Sequence, residues 1–262
     1  MQFLITNDDG YDAPGLAALY HALKPIGDVV VVAPAKCHSS KGHAVDTKNP
    51  IRIERRNVEP FGEIYIVHSS PADCIRVGLR HVLSSPPDRV VAGINPGANL
   101  GVDLYYSGTA AAAREAALMN VPAIATSRYF RDDAPIDWEI LGKHVNRVVR
   151  RLLEPQFDLP VGHFWNVNFP AIPGEIYPNE ISFVPHGSEP HAVSFEVVEE
   201  DGQSQVLRYS AMYRDRGRSE TCDVRHLFDN QLTATAVGPH TTANQQFPHN
   251  SEVSPFRAVL PD

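Results

Sequence analysis

Two adjacent carboxylates near the amino terminus are the first residues in this sequence that could do chemistry. Asp8 and Asp9 follow the short apolar run Gln2–Thr6 and precede Gly10. Neighbouring carboxylates at the end of a buried strand disfavour each other's ionised form unless a cation lies near them. Oxygen ligands suit the hard cations Mg²⁺, Mn²⁺ and Ca²⁺ better than zinc. The residues indicate a divalent metal site, and the alternative is an ordinary solvated turn.

Further oxygen donors come later in the chain, again where strands are expected to end. Ser39 and Ser40 lie in a polar loop after a β-branched run, and Asn95 directly follows another apolar run. Asn99 comes four residues further on. The carboxyl ends of parallel strands meet at one edge of a sheet, where open α/β folds bind ligands. Two carboxylates and two neutral oxygens would leave room on Mg²⁺ or Mn²⁺ for water and a phosphate oxygen.

The beginning of a helix beside these donors predicts a phosphate-binding site. Ser107, Gly108 and Thr109 precede an alanine-rich stretch that strongly favours a helix. Free N–H groups and the helix dipole favour anions at such a position. The alternative is that a hydroxyl here only caps the helix. The combination indicates phosphate ester hydrolysis, in which either aspartate assists as a base or Asp8 itself attacks phosphorus.

The elements that must position these groups alternate between strands and helices. The predicted strands, besides the amino-terminal run, are 29–33, 89–94, 122–126, 165–170 and 232–237. The predicted helices begin at Pro14 behind an Asp12 cap, at Pro71, at Ala110 and near Asp133. Apolar runs without alternation are typical of strands covered on both faces. We therefore expect an α/β fold with a Rossmann-like, mostly parallel sheet and helices on both faces.

Two parts of the chain depart from this pattern. Segments 51–56 and 63–68 alternate, which predicts a hairpin outside the sheet. Alternation returns after residue 180 at 181–185, 192–199 and 205–212. The last two of these segments predict a protruding C-terminal β-hairpin, and the polar, proline-rich tail 239–262 predicts an extended arm. We expect a single domain over 1–262, with its core over about 1–180 and the hairpin and arm over about 181–262.

Composition excludes several classes of partner. The 262 residues carry 23 Lys and Arg against 31 Asp and Glu, a formal net charge of -8, which predicts no general attraction to nucleic acid or anionic membranes. The three cysteines lack a C-x-x-C pair, which argues against a disulfide framework. There is no leader pattern and no apolar stretch near the ~20 residues needed to span a bilayer. We expect a cytoplasmic protein.

Five short motifs share their order and spacing, over residues 1 to about 127, with a known protein family. They are Asn7-Asp8-Asp9-Gly10, Ala33-Pro34 followed by Ser39, Ser70-Pro71-Ala72-Asp73-Cys74, the segment 93–101, and Tyr106-Ser107-Gly108-Thr109. In these motifs the chain resembles the SurE family of survival-protein nucleotidases. The resemblance implies a phosphatase that hydrolyses nucleoside 5′- and 3′-monophosphates, and sometimes short polyphosphate, with a divalent metal. It also implies a cytoplasmic dimer or tetramer assembled through the C-terminal hairpin and arm.

The resemblance assigns a role to each candidate residue. By motif position, one Mg²⁺ or Mn²⁺, or Ca²⁺ in a crystal, would bind Asp8, Asp9, Ser39 and Asn95. The two aspartates would be catalytic in a 5′-nucleotidase or acid phosphatase. The residues expected to bind the phosphate of the substrate are Ser40, Asn99, Ser107, Gly108 and Thr109.

The chain also departs from the family, which leaves a second function open. Where the family has Arg-Ser-Gly, this chain has His38-Ser39-Ser40, and its sequence after residue 185 also differs. These differences motivate the alternative of a sensor that binds metal and nucleotide without turnover. A haloacid-dehalogenase type of phosphatase is disfavoured. Members of that family have an Asp-x-Asp motif after the first strand, whereas the aspartates here are adjacent.

Overall fold

The computed structural model describes residues 1–211 and 213–239. Its strands are β1 Gln2–Thr6, β2 Asp28–Pro34, β3 Ile53–Val58, β4 Gly62–Val67, β5 Arg89–Pro96, β6 Ala123–Arg128, β7 Phe164–Phe169, β8 Ile181–Phe183, β9 Phe195–Glu200, β10 Gln205–Tyr209 and β11 Leu232–Val237. Its α-helices are α1 Pro14–Leu23, α2 Pro71–Val77, α3 Gly108–Leu118, α4 Trp138–Leu152 and α5 Asp223–Phe228.

Nine of these strands form one sheet in the order β3-β4-β2-β1-β5-β6-β7-β11-β8. Every neighbouring pair from β4 to β7 is parallel, whereas β3 and β11 run antiparallel to β4 and β7. The predicted α/β class with a mostly parallel, Rossmann-like sheet is therefore confirmed. β9 and β10 form a separate antiparallel hairpin, as expected.

The sheet has an apolar core on each face. Successive residues of β1 alternate between the cores, since Phe3 and Ile5 pack with the leucines of α1 and Leu4 packs with α2 and α3. α4 covers the same face as α1, and the buried alanines of α3 let that helix approach the opposite face closely. Fully burying a leucine-sized side chain contributes about 1.5–3 kcal/mol, so the two cores hold the strand ends in fixed positions.

One predicted position in the sheet is wrong. β3 and β4 do form a hairpin, but β4 pairs in parallel with β2, so the hairpin extends the main sheet at its edge. Ile64 and Ile66 of β4 are buried in the same core as α1, which explains the attachment. Alternation shows that one side of a strand is buried but not which sheet it joins.

The helix boundaries also differ from those expected. The N-cap residue of α1 is Ala13, without a side-chain hydrogen bond, so the predicted Asp12 cap is wrong. α4 begins at Trp138 and is capped by Asp137, which accepts hydrogen bonds from the next turn, whereas a start near Asp133 was expected. Asp133 instead pairs with Arg131 in the preceding turn.

The predicted C-terminal features are only partly within the described residues. β8 covers the first alternating segment and pairs with β11 in the main sheet. The expected arm lies outside the described residues from 240 onward, and the single-domain division stays a prediction. In the described ranges, no helix is both long enough and apolar enough to span a membrane.

Candidate active site

A cavity of about 290 Å³ lies where β1 and β5 end and α3 begins. Its lining residues are Asp8, Asp9, Ser39, Ser40, Asn95, Pro96, Ala98, Asn99, Asp103, Tyr106, Ser107 and Tyr213. All four residues expected to bind metal are among them, together with three of the five expected to bind phosphate. The other two, Gly108 and Thr109, contact Asp8 instead.

Asp8 is held rigidly between β1 and α3. Its carboxylate is buried, and the Thr109 hydroxyl donates a hydrogen bond of 2.6 Å to Oδ1. A Cβ atom at Gly108 would lie only 2.6 Å from the Asp8 Cβ, so the close approach of helix and strand requires glycine. Burial raises the pKa of Asp8, and the hydrogen bond from Thr109 opposes that shift. The predicted part of Gly108 and Thr109 in phosphate binding stays a prediction.

Asp9 carries a charge that its surroundings do not compensate. Its Oδ2 atom is buried and has no hydrogen-bond partner among the described residues. Burial, and then the neighbouring charge of Asp8, raise the pKa of Asp9 to about 6. A buried carboxylate oxygen without a partner is unfavourable, and a bound cation would remove that penalty. The site therefore fits a cation.

The remaining donors to such a cation are neutral. The Asn95 side chain donates from its nitrogen to the Gly97 carbonyl at 2.7 Å, which leaves its oxygen for a ligand. Ser39 is exposed, and its Oγ lies 2.9 Å from the Cys37 Sγ. Within residues 1–211 and 213–239, no three His, Cys, Asp or Glu side chains are grouped to hold a metal. A donor set of two carboxylates and neutral oxygens matches Mg²⁺ or Mn²⁺ rather than zinc.

The loop after β5 is fixed by two asparagines of β7. The Asn168 side chain accepts from the Asn99 N–H at 2.9 Å and donates to the Asn99 carbonyl at 3.0 Å. Asn166 donates to the same carbonyl at 2.8 Å. The Asn99 side chain in turn donates to the Ser127 hydroxyl at 2.7 Å. The sequence predicts a strand here and assigns Asn166 and Asn168 no role, although period-two spacing places both side chains on one face.

Five lining residues were not assigned to the site from the sequence, and three of them, Asp103, Tyr106 and Tyr213, carry polar groups. Tyr106 begins the motif that continues into Ser107, and Asp103 lies between that motif and the segment 93–101, so their position was a usable signal. Tyr213 lies beyond the hairpin, and its hydroxyl donates to the Asp103 Oδ2 at 2.6 Å. A contact between residues so far apart in the chain leaves no local pattern to detect.

The fold and the cavity define an α/β protein with an acidic, oxygen-rich pocket at the carboxyl ends of its parallel strands. The family model described as "Survival protein SurE" matches residues 3–189, which is well over half of the chain. The chain belongs to the SurE family.

Individual relatives agree with this membership. A "5'-nucleotidase SurE" of Geotalea uraniireducens is 43% identical over 175 residues, covering 67% of this chain and 68% of the relative. A protein of Synechocystis sp., described as a candidate 5′-nucleotidase, is 39% identical over 237 residues, covering 90% of this chain and 99% of the relative. The crystal structure of the SurE protein from Aquifex aeolicus superposes with a TM-score of 0.78 at 30% identity, covering 92% and 95% of the two chains.

Proposed function

We propose that this protein is a metal-dependent phosphomonoesterase that releases phosphate from nucleoside 5′-monophosphates. The observation that carries the proposal is the buried Oδ2 atom of Asp9, which has no partner among the described residues and lies beside Asp8 in a cavity that also contains Asn95 and Ser39. Membership of the SurE family and the 5′-nucleotidase names of relatives support the class of reaction. Hydrolysis of 3′-monophosphates and of short polyphosphate, expected from the resemblance, stays a prediction.

Each group of residues has a proposed task. Asp8, Asp9, Ser39 and Asn95 would hold one Mg²⁺ or Mn²⁺ ion. When bound, such an ion would neutralise charge on the phosphoryl group and activate water for attack. The substrate phosphate would be oriented by Ser40, Asn99, Ser107 and the N–H groups at the start of α3.

The rigidity of Asp8 supports a role in positioning as well as in ligand binding. Thr109 fixes the rotation of the Asp8 carboxylate through one oxygen, and both residues are buried. A carboxylate held in this way does not need to reorganise when substrate arrives, which is the arrangement that favours catalysis by preorganised charge. Asp9, which is less constrained, is the better placed of the two to exchange a proton with water or the leaving group.

The test is release of phosphate from AMP in the presence of Mn²⁺. We expect turnover that chelator abolishes, and Asp8→Asn should lower kcat/KM by more than about a hundredfold. Asp28→Asn is the control, because Asp28 is exposed at the amino end of β2. An active Asp8→Asn protein would contradict the assignment, and AMP binding without turnover by the metal-loaded wild type would establish the sensor alternative.

We also propose self-association as a homodimer or homotetramer. Phe195 and Val197 of β9 pair directly with Tyr209 and Leu207 of β10, so four exposed apolar side chains share one face of the hairpin. Contiguous exposed apolar surface of this kind marks an interaction site. Location in the cytoplasm, and the lack of nucleic acid or membrane partners, stay predictions from cysteine usage and net charge.

A further inference from the structure

The cavity that contains the aspartates also has aromatic lining residues. Tyr106 and Tyr213 line it, together with Asp103. The side chain of Tyr106 is 57% exposed, although it belongs to the loop that leads directly into α3. A large aromatic ring exposed beside a polar cavity is a surface on which a planar ligand can stack.

Tyr213 is brought to this cavity by a buried ion pair. The Arg216 side chain, only 4% exposed, donates two parallel hydrogen bonds to Asp103, of 2.6 Å to Oδ2 and 2.9 Å to Oδ1. Asp103 also accepts from the Leu100 N–H at 3.0 Å and from the Tyr213 hydroxyl at 2.6 Å. A bidentate pair between Arg and a carboxylate is among the strongest polar contacts in proteins. It fixes the segment beyond the hairpin against the loop after β5.

The ring of Tyr213 is already occupied by the protein. It stacks on Tyr129 with centroids 5.8 Å apart, and the Arg216 guanidinium lies 4.6 Å from its centroid. Burial raises the pKa of the Tyr213 hydroxyl well above its usual range, so the group remains a hydrogen-bond donor. Tyr213 is therefore a fixed wall of the cavity.

Within the described structure, the ring of Tyr106 is less restrained than that of Tyr213. Its one aromatic neighbour among the described residues is His191, tilted by 47° at a centroid distance of 5.7 Å. Its main chain, by contrast, is fixed, because the Gly42 N–H donates to the Tyr106 carbonyl and the Tyr106 N–H donates to the main-chain carbonyl of Asp103. The residue thus presents an accessible ring from an anchored backbone. This is the combination expected of a stacking platform, because little conformational freedom is lost on binding.

We propose that Tyr106 stacks against the nucleobase of the substrate, and that the Asp103–Arg216 pair is a positioning device that holds Tyr213 as the facing wall. The inference rests on the proposed function and deepens it, since it gives a reason for preferring nucleotides over phosphate esters without an aromatic group. Every nucleobase has a π face, so stacking selects for a base without selecting strongly among bases.

The first test compares two substrates in matched variants. The substrates are AMP and ribose 5-phosphate, which carry the same phosphate ester with and without a base. We expect Tyr106→Leu to lower the ratio of kcat/KM for AMP to that for ribose 5-phosphate about tenfold, whereas Tyr106→Phe, which keeps the ring, should change the ratio less than about twofold. An unchanged ratio in the leucine variant would overturn the proposal.

A binding measurement separates this inference from the proposed function. Titration calorimetry with adenosine, using ribose as the comparison, requires neither metal nor turnover. We expect the wild type and Tyr106→Phe to bind adenosine more tightly than ribose, and Tyr106→Leu to lose the difference. If the wild type binds adenosine in this way but hydrolyses nothing, the proposed function fails and the subsite stands. If it hydrolyses AMP but binds adenosine no better than ribose, the subsite fails and the function stands.

The positioning role of the ion pair needs its own readout. We expect Arg216→Met to raise the KM for AMP about tenfold more than the KM for ribose 5-phosphate, and Arg216→Lys to restore part of the loss, because lysine keeps the charge but not the bidentate geometry. Tyr213→Phe, which removes the hydroxyl that contacts Asp103 and the Ala98 carbonyl, provides a second variant if Arg216→Met does not fold. Equal KM changes for both substrates in the folded variants would refute the role.

Discussion

At Asp8 and Asp9 the chain accepts an arrangement of charge that is unfavourable in the protein alone. Asp8 is almost fully buried, and Asp9 has one oxygen without a partner among the described residues. Nothing in the packing of β1 requires a carboxylate at either position. The arrangement makes physical sense if stability is given up locally for a ligand whose charge restores it.

The substitution Asp9→Asn should separate the destabilisation caused by the Asp9 charge in the metal-free protein from the stabilisation gained when a metal binds. An amide has the shape of the carboxylate without its charge, so we expect the metal-free variant to melt at or above the temperature of the wild type. The wild type should be stabilised by about 2.7 kcal/mol at Mn²⁺ concentrations near a hundred times Kd. The variant should lose most of that increment. Thermal melts with Mn²⁺ and with chelator measure both quantities, and Asp28→Asn is the control. A variant that keeps the full increment would show that Asp9 is not a ligand.

The hydroxyl of Thr109 should matter more than the size of its side chain. Thr109→Val keeps the branched shape but removes the hydrogen bond to Asp8, which leaves a buried carboxylate oxygen unsatisfied. We expect a loss of about 1–3 kcal/mol in the free energy of unfolding and a fall in AMP hydrolysis of about tenfold or more. Thr109→Ser, which keeps the donor, should retain most of both. Urea unfolding and phosphate release provide the measurements, and equal effects of the two substitutions would contradict the role of the hydrogen bond.

Local patterns selected the aspartates and asparagines that line the cavity and assigned no role to its tyrosines. Asp8, Asp9 and Asn95 each follow an apolar run, so sequence order alone places them at strand ends. Tyr213 reaches the site through contacts that cross more than a hundred residues, its own with Asp103 and that of Arg216 with Asp103. Such a pairing is a property of the folded chain, and no spacing rule encodes it.

Among the elements, β7 has a function that its apolar pattern does not show. It lies beside β6 in the sheet, and the side chains of Asn166 and Asn168 also form hydrogen bonds with the main chain of Asn99 in the loop after β5. The strand itself was predictable from its apolar residues. The loop's dependence on it was not, because both partners are asparagines that elsewhere would be assigned to turns.

The two asparagines of β7 should differ in importance. Asn168 satisfies both the N–H and the carbonyl of Asn99, whereas Asn166 satisfies only the carbonyl, and its own oxygen has no partner in the described structure. Asn168→Ala would leave the buried N–H without an acceptor, so we expect a loss of about 1–3 kcal/mol in unfolding free energy together with reduced activity. Asn166→Ala is the matched comparison and should cost less. Chemical denaturation of both variants tests the order, and the reverse order would show that the loop is held in another way.

At the scale of the whole molecule, the sheet and the hairpin differ in how their apolar residues are covered. The core strands bury apolar residues on both sides, so their pattern identified them. In the described part of the chain, all residues of β9 and β10 are exposed. The hairpin's alternation was recognisable, but a single sequence does not show what covers its apolar face. A second copy of the chain is the occupant that we propose.

The apolar face of the hairpin should therefore control the size of the assembly. We expect the double substitution Phe195→Ser and Val197→Ser to reduce the mass in solution from a dimer or tetramer to a monomer of 28.9 kDa, because it removes half of the apolar face that would be buried between copies. Glu196→Ser on the opposite face, where Glu196 pairs with the exposed Arg208, is the control and should leave the mass unchanged. Light scattering coupled to size-exclusion chromatography measures the masses. A wild type that is already monomeric, or a double variant that keeps the wild-type mass, would show that this face is not the contact between subunits.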